Sequence, residues 1–185
     1  GAAALEWQPS CPQPIAMLAF LQRRRLPFAL LLVTCSGLLG FALYLQFAGQ
    51  LQPCPMCILQ RYAFTAIILV ALLGTLHGPN GMPGRRLYGL LIVIASLAGA
   101  GIAAWQSWIQ RFPPDISECG PDLAYMLESF PLSSSLPMIF RGAGECTRID
   151  WTFLGLSIAN WSLVCFAVIA AAALLALFRP AAKRP

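Results

Sequence analysis

The 185-residue sequence is short of charge. Asp, Glu, Lys and Arg make up 10% of it, against roughly 25% in an ordinary soluble domain. So few charges would not keep a globule of this size in water, which excludes a water-soluble domain. Histidine is scarcer still: His77 is the only one, which leaves little for a histidine-based metal site. A continuous basic stripe is also lacking. The net charge of +5 comes from small clusters flanking apolar runs, and no nucleic-acid motif accompanies them. The clusters therefore read as membrane-topology signals, with no nucleic-acid partner. Methionine is missing from residues 1–16, and Met17 can serve as a start. That stretch reads as a tag or a disordered tail outside the fold.

What the chain does have is apolar length: 58% of its residues are hydrophobic. Four runs stand out, at about 27–48, 57–76, 87–109 and 153–178. Each is about 20 residues or more, enough for a helix to cross a hydrocarbon core about 30 Å thick. Lipid satisfies no backbone polar group, so helices are the expected solution. The predicted fold is an all-α integral membrane four-helix bundle, one domain over 17–185. Its loops fall at about 49–56 and 110–150.

Charge orients the bundle. Arg23, Arg24, Arg25, Arg85, Arg86, Arg179, Lys183 and Arg184 fall at one end of this layout. Arg61, Arg111, Arg141 and Arg148 fall at the other, mixed with Asp115, Glu118, Asp122, Glu128, Glu145 and Asp150. The positive-inside rule puts the first end, with both termini, in the cytoplasm. The loops at 49–56 and 110–150 then face outward.

The cysteines sort by depth. Cys54, Cys57, Cys119 and Cys146 fall on the outward side, Cys35 and Cys165 inside apolar runs, and Cys11 in the N-terminal stretch. An exterior compartment permits disulfides where the cytosol does not. A close pair, Cys54/Cys57, and a wide pair, Cys119/Cys146, are possible there, although four cysteines allow three connectivities. Cys35 and Cys165 read as small hydrophobes packed in the bundle. A zinc clip is a structural rival for the four outer cysteines, but the second Cys-x2-Cys half-site is missing and His77 is at the wrong end. A purely structural double disulfide is another.

"QPCPMCILQR", residues 52–61, carries sharper chemistry. Pro55 suits the first position of a helix. Cys54 then sits near the N-cap and Cys57 in the first turn, where free N–H groups and the helix dipole favour thiolates. Arg61 lies four residues past Cys57, on the same face one turn deeper. It can stabilise a thiolate, donate to an oxygen-bearing acceptor in the bilayer, or simply snorkel to the interface. In the outer segment, "PDLAYMLESF" places Leu123, Met126, Leu127 and Phe130 at helical spacing. It predicts a short amphipathic helix on the membrane surface or on the bundle top. "RGAGEC" brings Cys146 in on a glycine-rich approach.

Taken together, these residues resemble the bacterial disulfide bond formation protein B (DsbB) family of inner-membrane thiol oxidases. The resemblance runs from about Leu26 to Phe178. It rests on the four-run layout, "PCPMCILQR", the Cys119–Cys146 spacing and "WTFLGLSIANWSL" at 151–163. It implies that Cys54, Cys57, Cys119 and Cys146 are the redox residues. The partners it implies are a periplasmic DsbA-like thioredoxin-fold dithiol oxidase and the membrane quinone pool. That partner's thiolate would attack the wide disulfide and form a mixed disulfide with Cys119. Electrons would reach the close pair through a transient Cys54–Cys146 bridge. Cys57 would then donate to a quinone, ubiquinone or menaquinone, with Arg61 beside its head group. Many members carry a histidine where this chain has Gln106, in "AAWQSWIQ". A glutamine can hydrogen-bond a quinone oxygen but cannot deliver a proton near neutral pH. Trp105, Trp108 and Trp151 read as interface-belt residues. Two rivals remain. One is a vitamin K epoxide reductase-like oxidoreductase, against which the order of the two pairs argues. The other is the zinc-clipped or disulfide-stapled scaffold.

Overall fold

A computed structural model describes residues 14–79, 81–113 and 144–178, with positions 131 and 137. The chain forms α1 (Pro14–Phe47), α2 (Pro55–His77), α3 (Met82–Arg111), a single turn α4 (Gly144–Thr147), the strands β1 (Thr152–Phe153) and β2 (Leu156–Ser157), and α5 (Ile158–Phe178). The stretch Arg25–Phe47 of α1, and α2, α3 and α5 entire, are each long and apolar enough to cross a membrane. The all-α membrane bundle is therefore as the sequence predicts. The amphipathic helix at 121–130 falls outside the described residues.

Three boundaries differ from the sequence reading. α1 begins at Pro14 and runs through Pro27, so 14–16 are helical and Arg25 rides on the helix. α3 begins at Met82, which puts Arg85 and Arg86 on its first turns. The fourth run does not start as a helix. Residues 152–157 form a hairpin pairing Thr152 with Ser157 and Phe153 with Leu156. Its two turn residues, Leu154 and Gly155, have φ of 52° and 76°. Two successive positive φ values match the primed turns that suit a two-residue hairpin. The stretch reads as helix in sequence because Leu154 looks like one more apolar residue. The Trp161 indole N–H ties the hairpin down, donating to the Phe153 carbonyl at 3.0 Å.

Helix ends follow local chemistry. Cys54 caps α2 in an extended conformation, with Pro55 at the first helical position. Gly78 closes the helix in the left-handed region (φ 55°), its N–H bonded to Gly74 O at 3.0 Å.

Packing obeys helical periodicity. The buried residues of α2 are Met56, Gln60, Phe64, Ile67, Ala71 and Gly74, with Pro55 at its start. Those of α3 include Ile92, Ser96, Gly99, Ala103, Gln106 and Ile109. Both stripes step by three or four residues, so each is one helix face. α3 packs chiefly on α5 and then on α2, and α2 also packs on α1. At the centre Phe64 stacks on Phe166, ring centroids 4.2 Å apart. Gly99 makes room for them, since a Cβ there would lie 2.5 Å from the Phe166 ring. α1 and α5 hardly touch, which leaves a cleft between them. Leu30, Val33, Leu69, Ile94, Val168 and Leu175 are more than half exposed, as lipid-facing side chains are.

Candidate functional site

Each buried stripe carries a glutamine near its cysteine end, and the cysteines sit beside them. Gln60 continues the α2 stripe one turn above Phe64. Gln106 continues the α3 stripe one turn above Ala103. They meet: Gln60 Nε2 donates to Gln106 Oε1 at 2.7 Å. With its oxygen so engaged, Gln106 turns its amide toward the cysteines, and Nε2 lies 3.3 Å from both Cys54 Sγ and Cys57 Sγ. The two sulfurs are free thiols 3.1 Å apart. A disulfide of about 2.05 Å requires only a small closing movement from there. The cap geometry holds them, because the Cys57 N–H donates to Cys54 Sγ at 3.4 Å.

A third sulfur completes the group. α4 packs on α3 and α2. It buries Cys146 fully, in a cluster with Cys54, Met56 and Ile109. The Cys54 S–H donates to the Cys146 sulfur, a bond that favours the neutral thiol of Cys54. This contact, more than burial, pushes the Cys54 thiol up from 9.0 to about 12, against the lowering effect of its contacts with Cys57. The helix start therefore does not hold Cys54 as a thiolate while all three thiols are reduced. The neighbouring Cys146 and low solvent access outweigh the lowering contacts with Cys57.

Below the sulfurs lies a cavity of about 310 Å³ in the cleft between α1 and α5. Cys54, Cys57, Gln60, Arg61 and Gln106 line it, with apolar walls from Leu38, Phe41, Phe64 and Trp161. Arg61 is anchored across it to α1, donating to Gln46 Oε1 and, at 3.2 Å, to the Ala42 carbonyl. At the rim, Ser157 Oγ donates to Gln110 Oε1 at 2.7 Å and accepts from Asn160 Nδ2 at 3.1 Å. Arg148 and Asp150 pair at 3.3 Å on the exposed lip. An apolar pocket of a few hundred Å³ with a few converging polar groups is the usual form of a small-ligand site. This one brings thiols to its edge.

Comparison with known proteins points the same way. Residues 24–176 match the family described as "Disulfide bond formation protein DsbB". The chain belongs to the DsbB family. A disulfide bond formation protein B of Aromatoleum aromaticum is 56% identical over 163 residues, covering 88% of this chain and 98% of the relative. One from an Azoarcus species is 57% identical over 162 residues, covering 88% and 95%. One from Paracidovorax citrulli is 50% identical over 157 residues, covering 85% and 87%. As a DsbB-family protein the chain is a multi-pass membrane oxidoreductase of disulfide formation.

Of the DsbB-type residues expected from sequence, Cys54, Cys57, Arg61 and Gln106 line this cavity, and Cys146 is buried in the cluster with Cys54. Cys119 lies outside the described residues. Cys35 is fully buried in the central core, with half-buried Cys165 packed against that core and also lining the cavity. Trp105 and Trp108 are exposed, as a belt residue would be. Trp151 differs: it lines the cavity, packed edge-on against Phe41 with centroids 5.9 Å apart. Sequence reasoning missed Gln46, Gln60 and Gln110. Their common signal is an amide inside or at the end of an otherwise apolar run, which is costly in lipid unless it has a partner or a task.

Proposed function

We propose that this protein is an inner-membrane protein-dithiol:quinone oxidoreductase. It reoxidises a periplasmic DsbA-like dithiol protein and delivers the electrons to the membrane quinone pool. The observation that carries the reading is the contact of Cys146 with Cys54 at the edge of an apolar cavity walled by Arg61 and Gln106. One pair must exchange with thiols in water while the other faces lipid, and Cys146 is the sulfur that joins them.

The exchange balances as follows. A partner thiolate attacks Cys119 of a Cys119–Cys146 disulfide, forming a mixed disulfide and releasing Cys146 as thiolate. Cys146 attacks Cys54 of a Cys54–Cys57 disulfide, forming a Cys54–Cys146 bridge and releasing Cys57. The partner's second thiol resolves the mixed disulfide, leaving the partner oxidised and freeing Cys119. Cys119 then attacks Cys146 in the bridge, which restores the wide disulfide and leaves Cys54 and Cys57 reduced. Each step exchanges one S–S bond for another.

The cavity fits a quinone. Its walls are apolar, and the Arg61 guanidinium and the Gln106 amide offer donors suited to carbonyl oxygens. A quinone supplies the terminal two-electron, two-proton acceptor. Gln106 donates to the sulfurs, and Arg61, held by Gln46 and Ala42, stays at the cavity wall instead of snorkelling away. Ubiquinone and menaquinone both suit these walls.

Turnover tests the reading. Purified protein in detergent is supplied with a reduced DsbA-type dithiol protein and a soluble ubiquinone analogue, and quinone absorbance is followed. Reduction that is catalytic and abolished by Cys57→Ser is the expected result. No reduction by the intact protein would sink the reading.

A further inference from the structure

A second groove lies at the opposite end of the α1/α5 cleft from the cysteines, with a volume of about 610 Å³. Its walls are Leu30 and Leu31 of α1, Ile92 of α3, and Ala172 and Leu177 of α5. Arg85 and Arg86 also line it. On α3 the lining runs from Met82 to Ile92, a rise of about 15 Å at 1.5 Å per residue. That is about half of a hydrocarbon core about 30 Å thick, the depth of one leaflet.

The charge at its mouth is uncompensated among the described residues. Both arginines are exposed, and the first turn of α3 contains no acidic residue. Among the described residues the only ion pair is Arg148–Asp150, at the far end of the bundle. The α3 cap residue Gly81 makes no side-chain capping bond, so the helix start adds positive potential to that of the arginines. Arg25 lies nearby in the fold, its side chain against Gly78 at the end of α2. The groove thus calls for an amphiphile with an anionic head and an apolar body one leaflet long.

We propose that this groove is a binding site for one anionic glycerophospholipid. An acyl chain lies between α1, α3 and α5, and the phosphate is held by Arg85 and Arg86. A neutral quinone offers carbonyl acceptors but no negative charge to balance two guanidinium ions. A zwitterionic lipid brings a cation of its own to a site that already holds two. Basic pockets between transmembrane helices bind anionic head groups in this way. The inference is independent of the redox chemistry.

Native mass spectrometry of the full chain released from detergent tests it. The protein is titrated with phosphatidylglycerol or phosphatidylcholine of the same acyl chains. The expected result is one retained phosphatidylglycerol, half-saturating at about tenfold to thirtyfold lower concentration than phosphatidylcholine, given about 1 kcal/mol per arginine. Arg85→Gln with Arg86→Gln should equalise the two lipids, while Arg85→Lys with Arg86→Lys should keep the preference. Ala172→Phe, which fills the groove from an exposed position, should abolish retention of that lipid with both arginines in place. Equal retention of the two lipids by the unaltered protein would overturn the proposal, as would an unchanged preference in the Gln variant or unchanged retention in Ala172→Phe. Displacement of the lipid by a ubiquinone analogue or by inorganic phosphate alone would overturn it too.

Discussion

Gln106 serves three groups at once, accepting from Gln60 and donating to Cys54 and Cys57. When Cys57 carries charge during exchange, the bond from Gln106 becomes charge-assisted, a class worth about 1.5–3 kcal/mol. Gln106→Leu should therefore slow quinone reduction by about tenfold to a hundredfold. Gln106→His, which keeps a ring N–H donor, should recover part of the loss. Stopped-flow quinone absorbance in both variants checks this, and Leu rates within twofold of the parent would remove the role. Cys54 makes a separate prediction. Its thiol is pushed up to about 12, first by the Cys146 hydrogen bond. A folded-state value above the ordinary 9.0 means that the folded protein holds this proton more tightly than the unfolded chain. The associated stability of the reduced protein is complete below pH 9 and is lost as pH rises toward about 12. Alkylation of reduced Cys54, mapped by mass spectrometry across pH 7–11, should rise only at the alkaline end. Cys146→Ala should shift that rise toward 9, and an unshifted profile would contradict the assigned cause. The sequence makes Cys54, Cys57 and Arg61 legible because Pro55 and the i, i+4 step are local. It does not reveal the Cys54–Cys146 contact, which joins α2 to a distant single turn.

Helices, more than side chains, aim this site. Gln60 and Gln106 meet because the α2 and α3 stripes stay in register up to the cavity, and Gly99 sets how closely α3 approaches Phe166. Gly99→Leu should push Phe166 off Phe64 and cost about 1–3 kcal/mol, the range for overpacking. It should also lower activity, because α3 carries Gln106. Thermal unfolding in detergent should show a lower Tm than the parent, and an equal Tm would mean that the close approach is dispensable. The four spans are legible from hydropathy alone. The hairpin at 152–157 is not, because its signal is a backbone one: positive φ at Leu154 and Gly155 beneath an apolar string. The starts of α1 and α3 are missed for a related reason. Arg25, Arg85 and Arg86 look like loop residues by charge, yet a helix continues past the membrane boundary at no cost where its side chains reach water.

At the scale of the whole molecule, one asymmetry links the two ends of the α1/α5 cleft. The cysteine end pairs its exposed Arg148 with Asp150, while the far end carries Arg25, Arg85 and Arg86 with no acid beside them among the described residues. The positive-inside rule acts on short flanking segments such as these. It predicts that the arginine-rich end stays in the cytoplasm and the cysteine end in the periplasm. The proposed exchange requires the same arrangement, because only the outer compartment would let a Cys119–Cys146 disulfide persist. Single cysteines placed at Gly81 or Ile149, in a chain whose own cysteines are replaced by serine or alanine, test both demands together. Gly81 caps α3 at the arginine end, and Ile149 is exposed on the cavity lip. A membrane-impermeant maleimide applied to intact cells with a permeable outer membrane should label Ile149→Cys and spare Gly81→Cys until the inner membrane is lysed. The reverse pattern would place the thiols in a reducing compartment and remove the physical basis for a thiol oxidase here. Labelling of both before lysis would mean that charge does not fix the orientation of this bundle.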